Sequence, residues 1–192
     1  LINYGLMVVL AKKPDHPLVA SDLDVSLRGS VVLSGPCQDV EALKLADELS
    51  LRGMILSSIS LDLVPVAAKA HYPIILIEGF GVRPYNSAVY KLLVTNNRRE
   101  VALNAEDWNA FTGARPEIVI PLPAPGRTTA PAETGAFGPE KVVRVLRAPH
   151  NGQIGTIVSL KGNTIFSSGL YTNAVEVRLD DGTVLDLPMA NL

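Results

Sequence analysis

GSVVLSGPCQDVEALKLADELSLRGMILSS, residues 29–58, reads as strand, helix, strand. GSVVLSG (29–35) is a short β-branched run closed by glycine. In QDVEALKLADELS (38–50), Val40, Leu43, Ala46 and Leu49 recur about one helical turn apart on one face. Asp39, Glu41, Lys44, Asp47 and Glu48 are left to water. RGMILSS (52–58) is the second strand. Two strands joined through a helix pair in parallel, so this stretch predicts a parallel sheet with crossover helices.

The same alternation continues outward. SLDLVPVAAKA (60–70) reads as a helix if Asp62 is its N-cap, because Pro65 then falls in the first turn, where its missing N–H has no intrahelical partner to lose. YPIILIEG (72–79) is nearly all apolar and predicts a central strand. SAVYKLLVTNN (87–97) is a third helix capped by Asn86 or Ser87, and REVALNA (99–105) and PEIVIPL (116–122) are further strands. LINYGLMVVLA (1–11) predicts a first buried strand; at about half the roughly 20 residues that cross a bilayer, it is too short to span one. A start at Leu1 also fits the cut end of a longer, membrane-anchored chain. The expectation for residues 1–120 is a Rossmann-like three-layer α/β domain.

Of 192 residues, 47% are apolar and 19% charged, and the mean hydropathy is +0.25, as expected for a sheet covered on both faces. A net charge of −2 gives no long-range attraction to phosphate backbones. One cysteine, Cys37, excludes an internal disulfide framework, and His16, His71 and His150 are too scattered to suggest a metal site. No cofactor or metal motif and no catalytic constellation is present, and a reducing, cytoplasmic location is expected, with membrane attachment only through a segment outside this chain. Residues 121–139, PLPAPGRTTAPAETGAFGP, lack apolar periodicity and are rich in proline and glycine, which predicts an interdomain linker.

From Glu140 the pattern changes to short strands and turns. KVVRVL (141–146) and GTIVSL (155–160) are strands, and AVEVRL with TVLDL form a hairpin. A two-residue loop at Asp181-Gly182 would pair Val177 with Asp186 and mix charge into the core. A three-residue loop, Asp180-Asp181-Gly182, pairs Leu179 with Thr183, Val177 with Leu185 and Val175 with Leu187, and places Gly182 in the left-handed position.

VRVLRAPHNGQIGTIV (143–158) resembles the KOW motif of SH3-like barrels in NusG-type transcription factors and several ribosomal proteins. The match lies in the alternating Val143 and Val145 and in Gly155, twelve residues after the first valine. An early turn glycine of that family is Ala148 here, and KGNTIFSSGLYTN (161–173) is longer than the corresponding loop. The resemblance implies an SH3-like β-barrel over residues 140–192 and a binding role without catalysis. The partner is a protein or a second copy of the chain, with RNA or the ribosome as the alternative. Arg144, Arg147 and Lys161 are the candidate basic patch for nucleic acid, and Phe166 and Tyr171 the candidate stacking or docking aromatics.

In the first domain, ligands of open parallel sheets bind beyond the carboxyl ends of the strands. Ser34, Gly35, Ser57, Ser58, Glu78, Gly79, Gly81 and Arg83 are therefore the candidate small-molecule site, and a small-molecule-sensing regulatory domain is a further alternative function. With no GxGxxG or Walker pattern, the same glycines can equally serve the turns themselves. Cys37 reads as a buried structural thiol, and Glu78 as a carboxylate that either bonds to loop amides or faces solvent.

Overall fold

A computed structural model describes residues 1–122 and 135–192. Most of the expected linker therefore lies outside the described residues. The chain divides between residues 123 and 124 into two compact units.

The first unit is built on a six-stranded mixed sheet in the order β4-β3-β2-β1-β5-β6. The strands are β1 (Ile2–Val9), β2 (Val31–Ser34), β3 (Gly53–Leu56), β4 (Ile74–Leu76), β5 (Glu100–Asn104) and β6 (Glu117–Val119). β1 to β4 run parallel, and β5 and β6 return antiparallel. α1 (Val40–Glu48) starts where the Asp39 carboxylate accepts the Glu41 N–H at 2.9 Å, which satisfies one of the free donors of the first turn. α2 spans only Val64–Ala67, and α3 spans Ser87–Val94.

This architecture corrects the Rossmann-like three-layer expectation. The three helices have nine, four and eight residues, too little to cover both faces of six strands, and the unit is mostly β. α1 and α2 pack with Val32, Met54 and Leu56 on one face, whereas α3 packs with Val31, Leu33 and Ile55 on the other. Periodicity located these elements, but it carries no information on how short a crossover can be, or on the direction of β5 and β6.

Three local expectations also change. Asp62 does not cap a helix: residues 61–63 form a 3-10 turn that runs into α2, with Pro65 still in the first turn. β4 is an edge strand rather than a central one, since it pairs only with β3 among the described residues. Its apolar character follows from cover on both faces, Ile75 on one and Ile74 and Leu76 on the other. β1 is buried only toward its carboxyl end: Ile2, Tyr4 and Leu6 are exposed, whereas Met7 is fully buried and Val8 packs on the opposite face.

The second unit is a four-stranded antiparallel sheet in the order β10-β9-β8-β7, made of β7 (Val142–Arg144), β8 (Ile154–Ile165), β9 (Tyr171–Leu179) and β10 (Val184–Pro188). The β9–β10 register pairs Leu185 with Val177 and Leu187 with Val175. Gly182 closes the loop at φ 87°, as the three-residue loop requires. Inward side chains Val145, Ile157, Val175, Val177 and Leu179 form its core. β8 carries register shifts between Ile157 and Ser159 and between Lys161 and Asn163, and bulges of this kind increase local twist. The sheet curls, so that the Leu146 N–H beyond β7 donates to the Asn191 carbonyl beyond β10 at 2.7 Å. Such curling is compatible with a barrel-like β fold. Among the described residues no helix is long and apolar enough to cross a membrane.

Candidate functional site

The residues expected to form a crevice beyond β2, β3 and β4 are brought together, but they enclose backbone. Each strand breaks and re-pairs a few residues later, through single parallel bridges Leu18 to Cys37, Cys37 to Ile59 and Ile59 to Phe80. Ser34, Ser57 and Ser58 are fully buried. A Cβ on Gly35 would lie 2.2 Å from the His16 carbonyl oxygen, so this glycine is the contact surface for an overlying chain segment.

The loop from Glu78 to Asn86 closes the rest. The Ser57 and Ser58 hydroxyls both donate to the Arg83 carbonyl, at 2.7 and 3.0 Å, and the Arg83 N–H donates to Ser58 Oγ at 2.8 Å. Glu78 Oε1 accepts from the Asn86 N–H at 3.1 Å and from Asn86 Nδ2 at 2.7 Å. The Tyr85 hydroxyl reaches the Ser34 and Ile55 carbonyls. Gly79 and Gly81 supply the positive φ angles, 84° and 98°, that a side chain would resist. The loop thus turns Phe80, Val82 and Arg83 outward to solvent. Cys37 is buried, and burial pushes its thiol pKa up, so it is a packing residue.

In the second unit the basic patch does not assemble. Lys161 Nζ lies 2.7 Å from Asp186 and 3.2 Å from Glu176, and the hydrogen bond to Asp186, then that to Glu176, raises its pKa. Arg144 is opposite Ile154, seven residues up β8 from Lys161, a separation of about 23 Å along a strand. Arg147 is exposed in the following turn. Gly155 pairs with Val143 on one side and Leu179 on the other. A Cβ there would meet Val177 Cγ1 at 2.6 Å and the Arg178 carbonyl oxygen at 2.8 Å.

The segment 161–173 was expected as a long loop and is instead a ribbon. β8 and β9 continue past their neighbours, pairing Asn163 with Asn173, Thr164 with Thr172 and Ile165 with Tyr171. β7 reaches only as far along β8 as Thr156, and β10 reaches along β9 only to Ala174. A two-stranded ribbon without further strands is marginal in water unless something packs on it. Ile165, Leu170 and Tyr171 at its end are 72%, 50% and 64% exposed, whereas Phe166 is half-buried. From Gly162 to Val175 no residue is charged.

Two features escaped the sequence reading. Trp108 and Phe111, in the connection from β5 to β6, are strongly exposed. At the amino ends of the parallel strands a recess of about 560 Å³ is lined by Arg28, Arg52, His71, Asp47, Asn3 and Ser50. Asp47 Oδ2 lies 2.8 Å from His71 Nδ1, and Asp47 Oδ1 accepts the His71 N–H at 3.3 Å. The other five lie 25 to 68 positions after Asn3 in sequence, and only the placement of three strand starts side by side would have revealed them.

No protein family, curated protein or solved structure matches this chain.

Proposed function

We propose that this chain is a non-enzymatic binding or scaffolding protein whose second unit is a KOW-type interaction module, docking a protein partner through the end of the β8–β9 ribbon. The observation that carries this reading is the uncharged ribbon projecting beyond its sheet with Ile165, Leu170 and Tyr171 exposed. Exposed apolar side chains gathered at one place mark contact surfaces, and tyrosine is enriched among the residues that dominate interface energies. The alternating valines and Gly155 opposite Val143 support the KOW resemblance. Phosphate contacts need lysine and arginine, which the ribbon lacks and which Lys161, held by two carboxylates, does not supply. A protein partner therefore fits the surface better than RNA.

The test is affinity capture with chemical crosslinking, comparing the unchanged chain with an Ile165→Ser/Tyr171→Ser double variant and an Arg147→Glu variant. A protein crosslinked to the ribbon should be lost with the double variant and kept with Arg147→Glu. The cross-strand pair contributes about 0.2–1 kcal/mol, so the double variant should remain folded by circular dichroism. Loss with Arg147→Glu alone, together with sensitivity to RNase, would favour the nucleic-acid alternative. Crosslinks that ignore both changes would move the contact off this unit.

A further inference from the structure

We infer that the recess at the amino ends of β2, β3 and β4 is a binding site for a small polar phosphomonoester. Arg28 and Arg52 sit in the turns that lead into β2 and β3, and these turns are tied together: the Gly29 N–H donates to the Ser50 carbonyl at 3.3 Å and the Arg52 N–H to the Ser30 carbonyl at 2.8 Å. Both arginines line the recess, and neither guanidinium has a hydrogen-bond or ion-pair partner among the described residues. The one carboxylate in the lining, Asp47, directs both oxygens to His71, so it orients the imidazole rather than pairing with an arginine. Its charge offsets part of the field, but the two arginines outnumber it.

Gly5 makes room for this arrangement. A Cβ on it would lie 3.0 Å from the Gly29 carbonyl oxygen and 3.3 Å from Arg52 Cβ, so a side chain there would crowd the stem of Arg52. Two arginines lining one recess offer forked donors suited to phosphate oxygens. The volume of about 560 Å³ exceeds what a bare anion fills and falls within the ~300–1,000 Å³ range of small-molecule sites. Leu51 is the one aliphatic side chain in the lining, whereas Asn3, Ser50 and Asp47 offer hydrogen bonds. The part of the ligand beyond the phosphate is therefore a hydroxylated body, as in a sugar or polyol phosphate.

Ribose 5-phosphate, ribose and inorganic phosphate, each titrated into the full chain at constant ionic strength and followed by amide chemical shifts, test the assignment. Ribose 5-phosphate should give saturable shifts at Ser50, Arg52 and His71, and ribose should give none. Inorganic phosphate should bind more weakly. An Arg28→Ala/Arg52→Ala variant should lose affinity about tenfold or more, as expected for charge-assisted hydrogen bonds, with an unchanged melting temperature. Arg52→Lys should recover only part of the loss, and Arg98→Ala, outside the recess, should bind normally. Absence of saturable shifts, or equal binding by the double alanine variant, would overturn the site. Equal affinity for inorganic phosphate and ribose 5-phosphate would overturn the phosphomonoester assignment.

Discussion

Ser34 contributes its carbonyl to the Tyr85 hydroxyl at 2.7 Å, but its own buried hydroxyl has no partner among the described residues. An unsatisfied buried hydroxyl costs about 1–3 kcal/mol. Ser34→Ala, which keeps the carbonyl, should therefore raise stability by about 1 kcal/mol, read as a higher urea midpoint at unchanged slope. Gly155→Ala should do the reverse. The added methyl meets the Arg178 backbone as well as Val177, and overpacking against a strand that cannot retreat costs about 2 kcal/mol. The requirement at Gly155 was legible because spacing from Val143 is a property of sequence. Nothing comparable announces Ser34, whose environment is made by Tyr85, fifty-one positions away. Candidate site residues divide along the same line: their identities mark turns, but whether a turn opens on solvent depends on which distant segment covers it.

The loop from Glu78 to Asn86 shows the same limit for whole elements. Asn86 caps α3 by accepting the Val89 N–H at 2.9 Å while its amide donates to Glu78. Position before an apolar helical run narrowed the cap to Asn86 or Ser87; it said nothing of the coupling to the preceding strand. Asn86→Ala removes both side-chain bonds. It should cost about 2 kcal/mol and raise hydrogen exchange through residues 79–86 above that of α1. An exchange pattern confined to the first turn of α3 would show that Glu78 holds the loop without it. Strand positions were largely readable, because β-branched runs bounded by glycine or serine are local signals, and so was the β9–β10 register. Strand order and direction depend on pairing between distant segments, which is why β4 fell at the edge and β5 and β6 turned antiparallel. The ribbon was missed for a different reason: GNTIFSSGLYTN alternates too weakly to read as strand, and it is held extended by cross-strand pairing alone.

Across the molecule, the two strongly buried phenols both belong to the first unit. Burial raises the pKa of Tyr72 and of Tyr85, with nearby Asp47 and Glu78 respectively adding to the effect. The unfolded chain releases these protons near pH 10, before the folded one does. Their stabilising contribution is therefore complete below that pH and declines as pH rises beyond it. Stability of the first unit should fall above about pH 10, seen as loss of amide protection in β1 to β6 while β7 to β10 remain protected. Tyr72→Phe should shift this alkaline transition upward although it gives up the bond to the Leu43 carbonyl, at a cost of about 1 kcal/mol at neutral pH. Stability that stays level through the phenol range would contradict the burial of these hydroxyls.

Proteins that leave a strand edge bare usually guard it with lysine, proline or an inward-facing charge. Between Gly162 and Val175 the ribbon has none of these, and among the described residues no backbone pairs with its two outer rims past Ile157 and Ala174. When no partner is bound, the rims of two molecules can zip together with no electrostatic barrier. The surface offered for recognition is thus also where the chain is most open to self-templating at high concentration.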